Sequence, residues 1–565
     1  MSSPAFPEPP AQIPPTPFEE CDKKLARLAA RKADWVKLGV VDRIGYLRKC
    51  LDGVMATAEA WVRDGCKVKG IQPGTVLEGE EWVSGPMATV RNIRLLIGAL
   101  EAGGQPTPPS LTERPDGRKV AKVFPASTKD KLMFGGFSAE VWIQPGKPAS
   151  QGAIYREPQK GGKVSLVLGA GNVSSIAPMD VLYKLYAENE VVILKMNPVN
   201  AHVGPHLEKA FASLIDDGFL AIVYGGAQVG GYLADHAKVD TLHVTGSDKT
   251  YDAIVWGTDP AEQKQRKAEN RPKNTRPFTA ELGCVTPVLI VPGPWTDDDI
   301  EFQARQVTGM VAQNASFNCN AAKILVTAKG WSRQNDFLGR VRAVMARTPA
   351  RKAYYPGAET RWQAFVDKYP QAKVVGEKRD GVVPWTIIPD VPAQKGEYAL
   401  ETEAFCGVLA ETALDATDAP DFLAKAVKFA NDDCWGTLSM VLLIHPTTAK
   451  AYARELDEAI AALNYGGIGV NCWAGINYGL VVTTWGAFPG HSPKDIQSGS
   501  GVVHNTYLFD HAERSIVRAP FRIRPTPVWF ADHKNLADVG RKLTEYEAAP
   551  SWGRLFRVAM AAFKG

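Results

Sequence analysis

Residues 163–175 read KVSLVLGAGNVSS, and the architecture of the chain can be worked out from this run. The apolar stretch at 164–168 has the length of a buried strand. Gly169 and Gly171 then permit a tight turn, and Asn172 can cap a helix that follows. The run is therefore predicted to be a strand, a turn and the start of a helix. As a phosphate-binding signal the turn is weak, because the third glycine of the dinucleotide fingerprint is missing.

The same pattern recurs further along the chain. Short apolar stretches precede candidate helices at residues 191–194, 220–224 and 241–244. Strands that are apolar on both faces and joined by helices form parallel sheets covered on both sides. We therefore predict a doubly wound, Rossmann-type α/β domain that binds a nucleotide. A second α/β set follows, with strands near residues 288–291, 322–326, 383–388, 438–444 and 467–471.

The flanking regions differ from this α/β sequence. Residues 1–17 contain seven prolines and are predicted to be an extended, mobile tail. Residues 19–104 have a helical apolar period, and residues 107–155 have turn signals around short strands. Residues 534–565 predict two amphipathic helices. We expect the last helix to dock against the protein or a second subunit rather than to lie on a membrane surface.

Composition excludes several classes of protein. The chain has 565 residues, of which 45% are hydrophobic and 22% charged, and its net charge is +4 with no long run of one sign. A nucleic-acid partner is therefore not expected. No stretch approaches the roughly 18 apolar residues of a membrane span, and the first residues do not resemble a secretory signal, so a soluble, cytoplasmic protein is predicted. Eight scattered cysteines without a Cys-x-x-Cys pair predict reduced thiols and no bound metal.

Three side chains are candidates for chemistry. Cys319 lies in a small polar loop between a predicted helix that ends near Gln313 and the predicted strand at 322–326, where a cysteine can react; a buried, inert thiol is the alternative. Glu281 lies among apolar and small residues before a strand, so burial would raise its pKa and suit it to general-base work. A helix cap or a surface carboxylate is the alternative. Lys195 ends a parallel strand, where such sheets bind ligands, or it simply caps that strand.

Taken in order, these residues and their neighbours resemble the motifs of the aldehyde dehydrogenase superfamily, from about Glu19 to Phe521. Cys319 matches the nucleophile of that family, and Glu281-Leu-Gly matches its general-base motif. The spacing between Asn172 and the lysine at the strand end is typical of the family. The remaining matches are Arg156-Glu-Pro, Gly171-Asn172, Thr245-Gly-Ser247, Glu403-Ala-Phe405 and Gly469-Val-Asn471.

The resemblance implies NAD(P)-dependent oxidation of an aldehyde to a carboxylic acid. Cys319 would form a thiohemiacetal and then a thioester, with the oxyanion held by the Asn172 amide and the Cys319 backbone N–H. Glu281 would activate the water that hydrolyses the thioester. The implied residues that bind the cofactor, NAD or NADP, are Lys195, Asn197, Gly246, Ser247, Glu403 and Phe405.

The resemblance also implies a domain organisation. The fold would be aldehyde dehydrogenase-like, with a Rossmann-type doubly wound cofactor domain, a second α/β catalytic domain and a small β oligomerisation element. The implied parts are a disordered tail at 1–17, the NAD(P)-binding domain at 18–118 and 152–278, the catalytic domain at 279–501, oligomerisation strands at 119–151 and 502–522, and a helical C-terminal extension at 523–565. Pairing of the oligomerisation strands across subunits would give a homodimer or a homotetramer.

Several positions depart from the family pattern. Pro198 stands where NAD-dependent members usually have a glutamate that binds the adenine ribose, so the sequence does not choose between NAD and NADP. The second glycine expected after the Thr-Gly-Ser turn is replaced near Tyr251, and a charged insertion at 257–276 follows. Phosphate binding would then follow an altered path.

The substrate and the fate of the thioester stay open on the sequence alone. A glycine-rich loop contains Trp473, Tyr478, Trp485 and Phe488, which would either line a tunnel for an apolar aldehyde or pack the loop down. The aldehyde itself is not identified. The alternatives to a hydrolytic enzyme are a coenzyme A-acylating aldehyde dehydrogenase or acyl-CoA reductase, and an inactive scaffold on the same fold. Glu281 favours hydrolysis, because thiolysis by coenzyme A needs no water-activating base.

Overall fold

The computed structural model describes residues 6–9, 11–157 and 161–565. The α-helices are α1 (Phe18–Lys37), α2 (Val40–Lys69), α3 (Glu78–Trp82), α4 (Ala88–Glu101), α5 (Thr128–Met133), α6 (Ala153–Arg156), α7 (Ile176–Tyr186), α8 (Gly204–Ala210), α9 (Ala212–Asp216), α10 (Ala227–Asp235), α11 (Asp248–Trp256), α12 (Pro260–Glu269), α13 (Asp297–Ala312), α14 (Gln334–Arg347), α15 (Ala358–Lys368), α16 (Tyr398–Glu401), α17 (Ala419–Asp432), α18 (Pro446–Ala451), α19 (Ala453–Ala462), α20 (Gly475–Leu480), α21 (Leu536–Ala548) and α22 (Trp552–Ala562). A π-helical turn spans Val83–Met87, and 3₁₀ turns span Pro198–Val203 and Gln313–Ser316.

The strands form two sheets. They are β1 (Ser110–Glu113), β2 (Lys119–Phe124), β3 (Ser138–Ile143), β4 (Lys163–Leu168), β5 (Glu190–Lys195), β6 (Leu220–Val223), β7 (Thr241–Gly246), β8 (Phe278–Leu282), β9 (Thr286–Ile290), β10 (Ala322–Ala328), β11 (Lys373–Val374), β12 (Thr386–Ile388), β13 (Val408–Leu414), β14 (Ser439–Leu443), β15 (Gly467–Val470), β16 (Gly499–Ser500) and β17 (Ala512–Arg518). The first sheet has the order β16-β8-β7-β4-β5-β6, and the second has the order β1-β2-β3-β17-β15-β14-β9-β10-β13-β12-β11.

The first sheet is the Rossmann-type half of the molecule. Strands β4 to β8 run parallel, and only the short β16 pairs antiparallel, with β8. The strands predicted at 164–168, 191–194, 220–224 and 241–244 are confirmed as β4, β5, β6 and β7. Their apolar side chains are buried. Helices α1 and α7 both pack against β5, as expected for a parallel sheet covered by helices.

The second sheet is larger and mixed. Strands β12, β13, β10, β9, β14, β15 and β17 run parallel, in that spatial order. The strands predicted at 288–291, 322–326, 438–444 and 467–471 correspond to β9, β10, β14 and β15, and the one predicted at 383–388 is the shorter β12. Strand β13 was not predicted, because Glu411 and Thr412 interrupt its apolar run.

The chain crosses between the two sheets after β8. Strand β8 pairs with β7, so Glu281 belongs to the first sheet, and the next strand in the chain, β9, belongs to the second sheet. The chain therefore passes from the first sheet to the second at residues 283–285, and the domain boundary at 278/279 stays a prediction. Strand β16, inside the predicted catalytic segment 279–501, also returns to the first sheet.

The segments predicted as oligomerisation strands join the second sheet within one chain. Strand β17 lies between β3, with which it pairs antiparallel, and β15, with which it pairs parallel. Strand β2 pairs with β3, and β1 pairs with β2. Segments 119–151 and 502–522 thus contain the expected strands, but β17 is paired on both sides inside the chain. Pairing across subunits, and a homodimer or homotetramer, stay predictions.

Parts of the proline-rich segment at 1–17 contact the body of the protein. The Thr16 N–H donates to the Tyr224 carbonyl oxygen at 3.1 Å, and the Tyr224 N–H donates to the Thr16 hydroxyl at 2.9 Å. The Phe6 and Phe405 ring centroids are 5.2 Å apart. An extended proline-rich segment can thus pack and form hydrogen bonds, and the mobility expected of residues 1–17 stays a prediction. Residues 1–5 and 10, also part of that expectation, lie outside the described residues.

The C-terminal extension forms the two helices expected in 534–565. Helix α21 packs against α3 and α4. On α22, Leu555 and Val558 are buried in a cluster with Met87 of the π-helical turn. Trp552 and Phe556 lie on the opposite side of α22 and are exposed. The helix therefore docks against its own chain through one face only.

Two kinds of feature are absent from the part of the chain that the structure describes. None of its helices combines the length and the apolar character that a membrane crossing needs. Among those same residues, no group of three or more His, Cys, Asp and Glu side chains could hold a metal ion.

A buried ion-pair cluster fastens the C-terminal extension to α4. The Glu547 carboxylate is fully buried and accepts hydrogen bonds from Arg91, at 2.6 Å, and from Arg94. Arg91 is also buried, and its Nε donates to the Leu480 carbonyl oxygen at 2.8 Å. Burial alone would raise the pKa of Glu547, but the two guanidinium groups hold it below its ordinary value.

Glu547→Ala should lower the free energy of unfolding by about 3–5 kcal/mol, because it leaves the Arg91 charge buried without a partner. Chemical denaturation of the purified variant and of the parent protein measures this difference. Glu545→Ala is the matched control, since Glu545 lies on the same helix, is exposed and is 3.9 Å from Arg557; its effect should stay below about 1 kcal/mol. Equal effects of the two substitutions would contradict the assignment.

Candidate active site

Cys319 follows a loop with a strained backbone. Three consecutive non-glycine residues, 314–316, have positive φ angles of 53°, 55° and 70°. Such conformations cost about 1–3 kcal/mol each and persist only where the surroundings hold them. The Asn314 side-chain amide gives this support by donating to the carbonyl oxygens of Asn172 and Phe317, both at 3.1 Å. The loop is thus held in one conformation just before the cysteine.

Cys319 has an environment unlike that of the other cysteines. All eight cysteines lie in the described residues, and the other seven are buried, whereas Cys319 is partly exposed. Desolvation raises the pKa of its thiol well above the ordinary value, the carboxylates of Glu281 and Glu403 raise it further, and Lys323 lowers it. The thiol is therefore protonated at neutral pH and needs a base before it can react.

Glu281 lies near the carboxyl end of β8 and is 3% exposed. Burial raises the pKa of its carboxyl group to about 8, and the neighbouring Cys319 thiol and Trp485 indole oppose this in part. Its Oε1 atom has no hydrogen-bond partner among the described residues. A buried carboxyl group with a pKa near neutrality and an unengaged oxygen is suited to accept a proton.

The turn after β4 fixes Asn172 against the cysteine loop. Its side-chain amide donates to the Phe317 carbonyl oxygen at 2.9 Å. Its backbone carbonyl oxygen accepts from Lys69 Nζ at 3.1 Å, from Asn314 Nδ2 at 3.1 Å and from the Tyr354 hydroxyl at 3.0 Å. These four hydrogen bonds set the position of the amide relative to the cysteine.

The three side chains predicted to be catalytic line one cavity of about 110 Å³. They are Cys319, Glu281 and Asn172, and they come from the loop before β10, the last parallel strand of the first sheet and the turn after β4. Three of the four aromatic residues considered for a substrate tunnel line the same cavity: Trp473, Tyr478 and Trp485. Phe488 does not line it, and its ring instead packs under the Arg514 guanidinium, 4.7 Å away.

Lys195 lines a second, larger cavity of about 510 Å³. It ends β5, as the sequence predicted, and is 8% exposed. Its Nζ donates to the Gly225 carbonyl oxygen at 3.1 Å. Burial lowers the pKa of the ammonium group to about 8, against an opposing effect of Glu8.

The larger cavity also brings together the other residues predicted to bind the dinucleotide phosphates and riboses. Asn197, Gly246 and Ser247 all line it. The beginnings of α10 and α11 reach it as well, through Ala227 and Ser247. Helix N-termini carry a partial positive charge and stabilise phosphate; at α10, the Ala227 N–H donates to the Glu8 carboxylate at 3.4 Å. Glycines at 226, 230 and 246 place no side chain of their own on this wall, and the Glu8 carboxylate lies against Gly226, 1.1 Å from where a Cβ would stand.

Glu403 and Phe405, the remaining predicted cofactor ligands, line neither of these two cavities. The Glu403 carboxylate is 3.3 Å from Lys323 Nζ and accepts the Cys284 N–H at 3.4 Å. Phe405 has a positive φ of 43°, and its ring centroid lies 5.0 Å from that of Tyr355. Both side chains are thus engaged within the protein, close to the cysteine loop rather than open to the larger cavity.

Three polar residues of the site were missed by the sequence reading. Lys69 and Glu81 form a buried ion pair with an N–O distance of 2.7 Å. Lys323 Nζ donates to the Cys319 carbonyl oxygen at 3.0 Å. The position of Lys323 inside an otherwise apolar strand could have indicated a role for this residue, because a buried ammonium group needs hydrogen-bond partners. Nothing in the local pattern marks Lys69 or Glu81.

The family model for the aldehyde dehydrogenase family matches residues 151–479 of this chain. The matched segment is more than half of the chain and contains Asn172, Lys195, Glu281, Cys319 and Glu403. No curated protein sequence gives a significant match.

Solved structures with a similar fold match over most of their own length and of this chain. An aldehyde dehydrogenase of Mycobacterium tuberculosis complexed with NAD⁺ is 17% identical with a TM-score of 0.61, covering 89% of this chain and 91% of its own. The NADP-dependent glyceraldehyde-3-phosphate dehydrogenase of Bacillus halodurans C-125 complexed with NADP is 15% identical with a TM-score of 0.59, covering 89% and 92%. Lactaldehyde dehydrogenase of Escherichia coli is 16% identical with a TM-score of 0.56, covering 91% and 94%.

At these identities the solved structures show the fold alone. The fold agrees with the family match, and the matched segment holds most of the residues that line the two cavities. The chain therefore belongs to the aldehyde dehydrogenase family and is an NAD(P)-dependent oxidoreductase.

Proposed function

We propose that the protein oxidises an aldehyde to a carboxylic acid through a covalent intermediate on Cys319, with NAD or NADP as the oxidant. The observation that carries this proposal is the joint lining of one small cavity by Cys319, Glu281 and Asn172. A thiol, a base and an amide donor are the groups that this chemistry needs. The larger cavity has the helix N-termini and the glycines that suit a dinucleotide.

In the first step, Glu281 takes the proton of the Cys319 thiol. Burial raises the pKa of both groups. The transfer moves one negative charge from oxygen to sulfur inside the same cavity, so the desolvation that opposes ionisation of either group alone largely cancels. The thiolate then attacks the aldehyde carbon, a carbon–sulfur bond forms, and the carbonyl electron pair moves to oxygen.

The negative oxygen of this thiohemiacetal needs hydrogen-bond donors. The Asn172 amide nitrogen carries two hydrogens, of which one is donated to the Phe317 carbonyl oxygen. We assign the other hydrogen to the oxyanion, with the Cys319 backbone N–H as the second donor. Loss of one such donor typically costs about 10²–10³ in rate.

The dinucleotide, when bound, supplies the acceptor for the hydride that leaves the thiohemiacetal carbon. Lys195 and Asn197 would hold its ribose hydroxyls, and Gly246 and Ser247 its pyrophosphate at the start of α11. Glu403 and Phe405 would contact the nicotinamide end, with Lys323 orienting the Glu403 carboxylate. Pro198 opens a 3₁₀ turn and offers no carboxylate that would repel a 2′-phosphate, so we propose that NADP is accepted as well as NAD.

The thioester that remains on Cys319 is hydrolysed in the last step. Glu281 first passes the proton that it took from the thiol to solvent. It then removes a proton from water, the resulting hydroxide attacks the thioester carbon, and the carbon–sulfur bond breaks to release the acid and the thiolate. A carboxyl group with a pKa of about 8 is a strong enough base for this role near neutral pH. Its position beside Cys319 supports hydrolysis rather than transfer to coenzyme A.

The protein should reduce NAD or NADP with pentanal and release pentanoic acid without coenzyme A. Cys319→Ala should lower this rate at least about 10³-fold, because the nucleophile is lost. Cys21→Ala is the control, since Cys21 is buried in α1 away from both cavities. Absorbance of the reduced dinucleotide and mass spectrometry of the product give the readout. Turnover that requires coenzyme A would assign the protein to the acylating class instead.

The steady-state rate should rise as the pH increases from 7 to 9. The basic form of Glu281 exists above its pKa of about 8, so the deacylation step gains base through this range. Glu281→Gln should lower the rate by about 10²–10⁴ and abolish the rise, while thermal stabilisation by the dinucleotide stays intact. Glu458→Gln, at an exposed position on α19, should keep the parent profile. A flat profile in the parent protein would exclude this role.

A further inference from the structure

The cavity that contains Cys319 shares one wall with a neighbouring cavity. The first has a volume of about 110 Å³, and the second has a volume of about 240 Å³. Glu80, Gln313 and Trp529 line both cavities and so separate them. The second cavity lies away from the dinucleotide cleft, with which it shares no lining residue.

Two parts of this wall are held by polar contacts. The Glu80 carboxylate pairs with Arg351 at 2.8 Å and accepts the Asn314 N–H at 3.2 Å. The Gln313 side-chain oxygen and backbone carbonyl both accept from the Asn318 amide. These contacts belong to the loop that positions the cysteine, so neither residue can leave the wall without disturbing that loop.

Trp529 is the largest part of the wall, and it comes from outside the matched family segment. It is 6% exposed, and its indole N–H has no hydrogen-bond partner among the described residues. Its backbone is fixed against α13, because a Cβ added at Gly309 would stand 2.3 Å from the Trp529 carbonyl oxygen. The indole is therefore held in place by packing alone, on an anchored backbone.

The first cavity is small and carries no positive charge. Among the described residues, no Lys, Arg or His side chain lines it, and its only carboxylates are Glu80 and Glu281. Glu80 is already paired with Arg351, so an aldehyde that carries a carboxylate or a phosphate would find no free counter-charge there and would face the Glu281 carboxyl group. Benzene fits an engineered cavity of about 150 Å³, so the space before the wall suits only a short apolar tail.

We propose that Trp529 sets the length of the aldehyde that this enzyme accepts, and that the substrate is an uncharged aldehyde with a short apolar tail. The proposal rests on the aldehyde oxidation through Cys319 proposed above. The second cavity is the space that a longer tail would enter if the indole were removed. Leu77, Ala312 and Pro349 line it and would contact such a tail.

A series of straight-chain aldehydes tests the wall. In the parent protein, kcat/KM should be highest at propanal or pentanal and at least about 100-fold lower at decanal. Trp529→Ala should raise kcat/KM for decanal at least about tenfold, because each newly buried methylene contributes roughly a fourfold gain. Propanal should change less than about threefold. Trp529→Phe, which keeps an aromatic wall and is the milder substitution, should give an intermediate profile.

The matched control is Trp552→Ala, which removes an exposed tryptophan from α22 and should leave the profile unchanged. A second arm compares pentanal with 4-oxobutanoate, for which we expect at least about 100-fold lower kcat/KM. A parent protein that prefers decanal, or Trp529 variants with the parent profile, would overturn the length assignment. Equal turnover of 4-oxobutanoate and pentanal would overturn the charge assignment.

A binding measurement separates failure of this inference from failure of the proposed function. Pentanamide and decanamide resemble the substrates but cannot be oxidised by hydride transfer. Pentanamide should stabilise the parent protein against heat more than decanamide does, and Trp529→Ala should reverse the order. This result supports the role of Trp529 as the wall even if no aldehyde is turned over. The same order of stabilisation in the variant as in the parent protein overturns that role. Turnover that is lost in Cys319→Ala upholds the proposed function whatever the chain-length profile.

Discussion

The backbone carbonyl oxygen of Asn172 accepts hydrogen bonds from Lys69, Asn314 and Tyr354, and the geometry of the active site depends on these three bonds. The donors come from α2, from the strained loop before the cysteine and from the segment after α14. One oxygen atom thus joins the turn of the first sheet to α2 and to the two segments that precede and follow β10. The Lys69 charge is balanced by the buried Glu81 carboxylate. Loss of either side chain would leave the other charge buried without a partner, so the hydrogen-bond network depends on both.

Two buried glutamates near Cys319, Glu281 and Glu403, have different electrostatic environments. Burial raises the pKa of both Glu281 and Glu403. Lys323 lies 3.3 Å from Glu403, lowers its pKa in part and fixes its carboxylate. Among the residues that the structure describes, Glu281 forms no ion pair and its Oε1 has no hydrogen-bond partner. Lys323 therefore determines which carboxylate can exchange a proton with the thiol. The sequence did not identify this lysine as a candidate residue.

The sequence was sufficient to predict those elements whose burial produces a local pattern of apolar residues. Continuous apolar runs revealed β4 to β7 because each of these strands is covered on both faces. The resemblance added Asn172, Glu281 and Cys319, which the fold brings to one cavity. Features that depend on distant partners were not readable. Lys69 and Glu81 act through a carbonyl about a hundred positions away, and Trp529 becomes a wall only when its backbone meets α13. Strand β13, with polar residues in its middle, shows the same limit for the fold.

Strand β17 occupies an interior position in the second sheet although it is the last strand in the chain. During synthesis from the N-terminus, β3 is complete at Ile143 and β15 at Val470, but the strand that joins them ends only at Arg518. Until then, each of these strands keeps one edge of unpaired N–H and C=O groups, and such edges invite pairing with other chains. The sheet therefore closes as a late, long-range event, and a ribosome-bound chain of this protein needs protection of those edges for most of its translation.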